Sequence, residues 1–90
     1  MIRIQREDYS VDEIVKALKR PGVGAVVVFS GCVRGASRDG APVEWVEWDV
    51  YESMARKIFE MIHRDASERF GLLDAAIVHR YGRHRPGDNL

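Results

Sequence analysis

Apolar and polar residues alternate at the start of the chain, through Ile2, Arg3, Ile4 and Gln5, the period-two pattern of a short strand with one buried face. A helix start follows. Ser10 and Glu13 stand at capping-box spacing, so the Ser hydroxyl accepts from a backbone N–H three residues on while the Glu reaches back, and Tyr9 and Ile14 occupy hydrophobic-staple positions. Ile14, Val15 and Leu18 form one apolar face, and Pro21-Gly22 closes the helix. The next run, Gly24-Ala25-Val26-Val27-Val28-Phe29, is β-branched and apolar on both faces, which predicts a central strand covered from both sides. After Ser30, the polar stretch from Gly35 to Pro42 has no periodicity and is expected to move.

Val43 to Val50 reads as a return strand whose alternation slips between Trp45 and Val46, implying either a bulge or a strand that begins at Val46. From Glu52 to Phe70, Met54, Ile58, Ile62 and Ala66 recur every four residues and Phe59, Met61 and Phe70 widen the stripe, so an amphipathic helix packed on the sheet is predicted. Gly71 ends it. Ala75 to Tyr81 is a further strand, and the turn-rich run from Gly82 to Leu90 looks like the approach to another. The strand-helix-strand-strand-helix-strand order predicts an α+β domain, a mainly antiparallel two-layer sheet with helices on one face.

Ninety residues allow one domain with a thin stability margin, for which an oligomeric partner would help. The charge is balanced, 14 basic against 14 acidic side chains, which argues against a general nucleic-acid or membrane-surface binder. One cysteine, Cys32, excludes an internal disulfide, and no Cys, His or carboxylate spacing matches a metal site. With neither a signal-peptide pattern nor a membrane-spanning run, a cytoplasmic location is expected.

Three segments, in this order and spacing, resemble the molybdopterin synthase catalytic (large) subunit family. They are Gly24 to Arg34, ending in a Gly-x-Val-Arg turn; Val46-Glu47-Trp48-Asp49-Val50-Tyr51-Glu52-Ser53-Met54-Ala55; and Ile77-Val78-His79-Arg80-Tyr81-Gly82 followed by Pro86-Gly87-Asp88. The resemblance covers most of the chain and implies the amino-terminal portion of that subunit, as one incomplete domain over residues 1–90 with an α/β-hammerhead type of fold. It further implies a homodimer that receives small ubiquitin-like sulfur-carrier subunits to form a heterotetramer. The reaction it implies is sulfur transfer: cyclic pyranopterin monophosphate gains two sulfurs from the carrier's C-terminal thiocarboxylate, giving molybdopterin, with no cofactor required.

On this reading Arg34 is the main substrate-binding residue. It follows a glycine at a strand end, and its guanidinium can clasp phosphate in a bidentate way that lysine cannot reproduce. Cys32 and Val33 match positions lining the same pocket, where backbone N–H groups are expected to matter more than side chains. Arg34 would lower the pKa of a neighbouring thiol, yet the family pattern does not require cysteine and the sulfur arrives on the partner, so Cys32 is read as a small residue in a tight turn. His79 and Arg80 are adjacent on a strand and should face opposite ways, so one of them is expected to brace the sheet or a dimer and neither to perform catalysis. His63 reads as a surface or interface histidine, Arg83-His84-Arg85 as a solvated basic turn, and Trp45 and Trp48 as packing residues before pterin-stacking ones.

The family's principal acid–base lysines belong to a later part of the subunit, so Lys16, Lys19 and Lys57 inherit no role and no catalytic residue is named. Two further readings remain open from the sequence. One is a non-catalytic module keeping only dimerisation or carrier docking; the other is a small metabolite-sensing domain.

Overall fold

The computed structural model describes residues 1–90. Its elements run β1 (Ile2–Gln5), α1 (Val11–Leu18), β2 (Val46–Trp48), α2 (Glu52–Phe70), β3 (Ile77–Arg80) and β4 (Gly82–His84). The expected α+β class is what the chain adopts, with differences in how the strands associate. They form two separate pairs. β1 lies parallel to β3, Ile2 opposite Ile77 and Gln5 opposite Arg80, and β2 lies antiparallel to β4, Val46 opposite His84. With the antiparallel bridges Cys32–Asn89 and Ala36–Pro42, the pairing is mainly antiparallel as expected, β1–β3 being the parallel exception, but it is divided between separate ribbons and does not form one sheet.

Local signals set the helices. Ser10 Oγ accepts from the Glu13 N–H at 3.2 Å and caps α1, while Asp12 and Glu13 complement the positive end of the helix dipole. α2 spans the predicted residues, and Gly71, with φ 63°, takes the left-handed position that ends it. Which side of α2 is covered departs from expectation. Ala55, Phe59, His63 and Ala66 are half-buried, and Phe59 meets the His79 ring edge-on at 5.8 Å, whereas Met54, Ile58, Met61 and Ile62 stay exposed. A two-stranded ribbon is only about 5 Å between strand axes against a helix diameter of roughly 10 Å, so it covers one flank of a wide apolar arc.

α1 lies on the other side. It shares an apolar cleft with Ala76 and Val78, whose side chains alternate with those of Ile77 and His79. The helices therefore flank opposite faces of β1–β3, and the one-face arrangement does not form.

Residues 24–29 join no ladder, and Val27 and Phe29 are 94% and 98% exposed. This corrects the reading of a covered central strand: apolar composition suits a strand, but a strand needs hydrogen-bonding neighbours, and no part of these 90 residues supplies them. Conversely, the expected turn-rich run after Tyr81 carries β4. Gly82, at φ 93°, makes the corner between β3 and β4, with the Arg6 side chain lying against it.

Only Ile4, Val33, Arg80 and His84 are buried. The accessible surface is 6922 Å², about 1,500 Å² above the roughly 5,400 Å² expected for this mass, and the radius of gyration, 15.1 Å, exceeds the ~12 Å of a compact chain this long. No helix is long and apolar enough to cross a membrane.

Candidate functional site

The three residues singled out by the sequence come together in one cleft. Gly31 to Val33 runs antiparallel to Asp88 to Leu90, through Val33 N–H to the Asp88 carbonyl at 3.0 Å and Leu90 N–H to the Gly31 carbonyl at 3.0 Å, and Gly87 N–H donates to the Val33 carbonyl at 2.9 Å. Val33 is thereby buried and its backbone donor is committed within the chain, so the expectation that its N–H serves a ligand is withdrawn. Cys32, opposite Asn89, is a free, exposed thiol. Cys32, Val33 and Arg34 line a cleft of about 310 Å³ together with Arg38, Val46 and Trp48.

The stretch expected to move is a closed hairpin. Ser37 N–H donates to the Ala41 carbonyl at 2.8 Å, Gly40 N–H to the Ser37 carbonyl at 2.9 Å, and Val43 N–H to the Gly35 carbonyl at 3.0 Å. Gly40 has φ 89°, as required of the third residue of a three-residue hairpin loop. The Asp39 carboxylate accepts from the Ser37 hydroxyl and from the Ala41 N–H, and these two bonds hold its pKa below the usual carboxylate value. Asp39-Gly40 was the signal available in the sequence.

Arg34 and Arg38 are the charged side chains of the cleft, which has no acidic side chain among its lining. Neither is neutralised, because the ion pairs of the chain join Asp12–Lys16, Arg20–Asp74, Asp8–Arg80 and Glu47–Arg83. A positive, partly walled cleft with an aromatic edge at Trp48 suits an anionic, planar ligand.

The other candidates have structural work. Arg80 is buried: its Nε donates to the Arg6 carbonyl at 2.9 Å and its Nη1 to the Asn89 carbonyl at 3.0 Å, with Asp8 at 3.5 Å. It ties the segment that carries the cleft wall to the end of β1. His79 faces α2, as the alternation required, and His63 Nε2 is 3.2 Å from the Ala75 carbonyl. The Arg83-His84-Arg85 run does not act as one basic cluster, since strand alternation separates its members. Arg83 stacks 4.1 Å over the Trp45 ring while His84 is buried with Nε2 2.9 Å from the Tyr81 carbonyl. Asp8 accepts from the Asn89 side chain and the Tyr9 N–H, which, with Arg80 nearby, lowers its pKa.

The profile of the MoaE protein family matches residues 4–90. The chain belongs to the MoaE family. Curated MoaE-type relatives named molybdopterin synthase catalytic subunit include those of Rhizobium meliloti, 40% identical over 99% of this chain and 57% of the relative. That of Ralstonia nicotianae is 37% identical over 99% and 51%, and that of Pyrococcus abyssi 35% over 92% and 55%. The chain thus spans little more than half the length of these relatives. Among solved structures, the molybdopterin cofactor biosynthesis protein E of Burkholderia multivorans superposes with a TM-score of 0.85 at 34% identity, covering 99% of this chain and 57% of the other. The MoaE protein of Burkholderia ambifaria gives 0.83 at 36% identity, covering 99% and 59%. The MoaE assignment bears out the resemblance read from the Gly-x-Val-Arg, Val46–Ala55 and Ile77–Gly82 segments.

Proposed function

We propose that this chain serves molybdenum cofactor biosynthesis as part of a molybdopterin synthase catalytic subunit, with the cleft at Cys32, Val33 and Arg34 holding the phosphate end of cyclic pyranopterin monophosphate. The observation that carries the reading is Arg34: unpaired with any carboxylate, it lines a cleft whose wall is fixed by the Gly31–Val33 and Asp88–Leu90 pairing. A guanidinium positioned in this way binds a phosphodiester through two parallel N–H···O bonds, and Trp48 offers a ring to the heterocycle. In this reading the sulfur comes from the C-terminal thiocarboxylate of a small carrier subunit, in a cytoplasmic assembly built on a homodimer. The residues here supply binding and orientation as the cyclic phosphate opens and sulfur adds. No residue of the chain is given the acid–base role.

The test is calorimetric titration of the chain with cyclic pyranopterin monophosphate. Losing a charge-assisted bidentate contact is worth about 1.5–3 kcal/mol, so Arg34→Ala should weaken binding roughly ten- to a hundredfold with an unchanged amide spectrum. Unchanged affinity in the folded variant would remove the site.

A further inference from the structure

Arg38 is the charged residue of the cleft that nothing in the family resemblance singles out. It is the first residue of the Arg38-Asp39-Gly40 hairpin loop, a loop closed by the Ser37–Ala41 backbone bond and by the Ala36–Pro42 bridge. Its sequence neighbour Asp39 is its natural neutraliser, yet that carboxylate is turned inward onto the Ser37 hydroxyl and the Ala41 N–H. The hairpin therefore contributes Arg38 to the cleft lining while its own carboxylate is engaged in building the turn. Arg34, which precedes the hairpin, lines the same cleft, and no acidic side chain stands among the lining residues.

Two arginines lining one small cleft, with no acidic side chain among the lining, bring more positive charge than a single negative charge requires. One fork satisfies a phosphodiester, which carries a single charge around neutral pH. A phosphate monoester, with its second pKa near 6, carries close to two charges at neutral pH and has three terminal oxygens free to accept. Each additional charge-assisted bond strengthens the monoester complex, while the diester has fewer free oxygens to offer a second fork.

We infer that Arg34 and Arg38 form a two-guanidinium clamp that holds a phosphate monoester in preference to a phosphodiester, Arg38 being the residue that sets the preference. This deepens the reading of the cleft as a pterin-phosphate site and rests on it: Arg34 engages the phosphate in either form, and Arg38 engages the group best once the cyclic ester has been opened. Arg38 is thereby a specificity-determining residue that favours the ring-opened form.

The experiment is an NMR titration of the whole chain with methyl phosphate and, separately, dimethyl phosphate at neutral pH, following the Arg34 and Arg38 Nε–H resonances and the Ser37 to Ala41 amides. The parent chain should bind the monoester about tenfold more tightly than the diester. Arg38→Gln should abolish most of that preference by weakening the monoester alone, and Arg38→Lys, which keeps the charge without the fork, should restore part of it. Arg34→Gln should weaken both ligands. A preference that survives Arg38→Gln overturns the clamp while leaving the Arg34 site standing. Equal binding of the two esters by the parent overturns it as well. Indifference of both ligands to Arg34→Gln removes the underlying anion site too. Unchanged amide shifts for β2 and β4 show that each variant keeps its fold.

Discussion

Replacing Arg80 with methionine should loosen the cleft from a distance. Arg80 is 9% exposed and donates to two backbone carbonyls, those of Arg6 and Asn89, while Asp8 at 3.5 Å adds an ion pair whose carboxylate is largely in solvent. Each charge-assisted bond to a carbonyl contributes about 1.5–3 kcal/mol, the exposed ion pair less than about 1 kcal/mol, and the methionine side chain recovers part of the loss through its apolar stem. The net cost is about 2–4 kcal/mol. A chain of this length has a total stability of about 5–13 kcal/mol, so the change removes a large share of it. At roughly 4–8 °C per kcal/mol for a small domain, Tm should fall by about 8–32 °C, read by circular dichroism. Because the Arg6 and Asn89 carbonyls lie at opposite ends of the tether, amide exchange should quicken first at Val33 and Leu90, whose N–H groups hold the two cleft segments together. Arg80→Lys should recover under half of the loss, since one ammonium cannot reproduce the planar fork. A methionine variant melting within about 3 °C of the parent, or one in which Val33 and Leu90 stay protected while other amides exchange, would refute this role for Arg80.

Acid should act through the same tether. The pKa of Asp8 is lowered in the folded chain by the Asn89 side-chain bond, the Tyr9 N–H and Arg80, so its contribution is complete above the ordinary value of 3.8 and is lost as the pH falls through the lower folded value. Asp8→Asn should flatten the pH dependence of urea unfolding in that acid range, and an unchanged profile would show that the carboxylate is not linked to folding. The chain should also self-associate as its concentration rises, because Val27 and Phe29 add almost fully exposed apolar surface to a molecule already about 1,500 Å² more open than its mass requires. Phe29→Ser should reduce that association in sedimentation velocity while changing stability by less than about 0.5 kcal/mol, and a parent that stays monomeric at every concentration would contradict the expectation.

The openness of the molecule agrees with its share of the MoaE fold. Little more than half the length of the curated relatives is present, and the apolar flank of α2 and Val27 and Phe29 of the 24–29 stretch stay exposed among these residues. The cleft does not depend on them. Its walls are made by the Gly31–Val33 and Asp88–Leu90 pairing and by the 37–41 hairpin.

Features governed by neighbours a few residues apart were legible in the sequence by itself. Ser10 capping α1, the bounds of α2 with its Gly71 stop, the strand beginning at Val46, and the opposed directions of His79 and Arg80 all follow from local hydrogen bonding and side-chain periodicity. The ordered motifs also identified the family and singled out Arg34, which lines the proposed cleft. Tertiary structure alone decided the parallel pairing of β1 with β3, the absence of any partner for 24–29, the flank of α2 that is covered, and the burial of Arg80. Each of these is a relation between distant segments: Arg80 spans from Arg6 to Asn89, and β1 meets β3 across some 75 residues of chain. An apolar run records that a segment can be covered; its sequence does not record which other segment arrives to cover it, because backbone pairing uses groups that every residue carries.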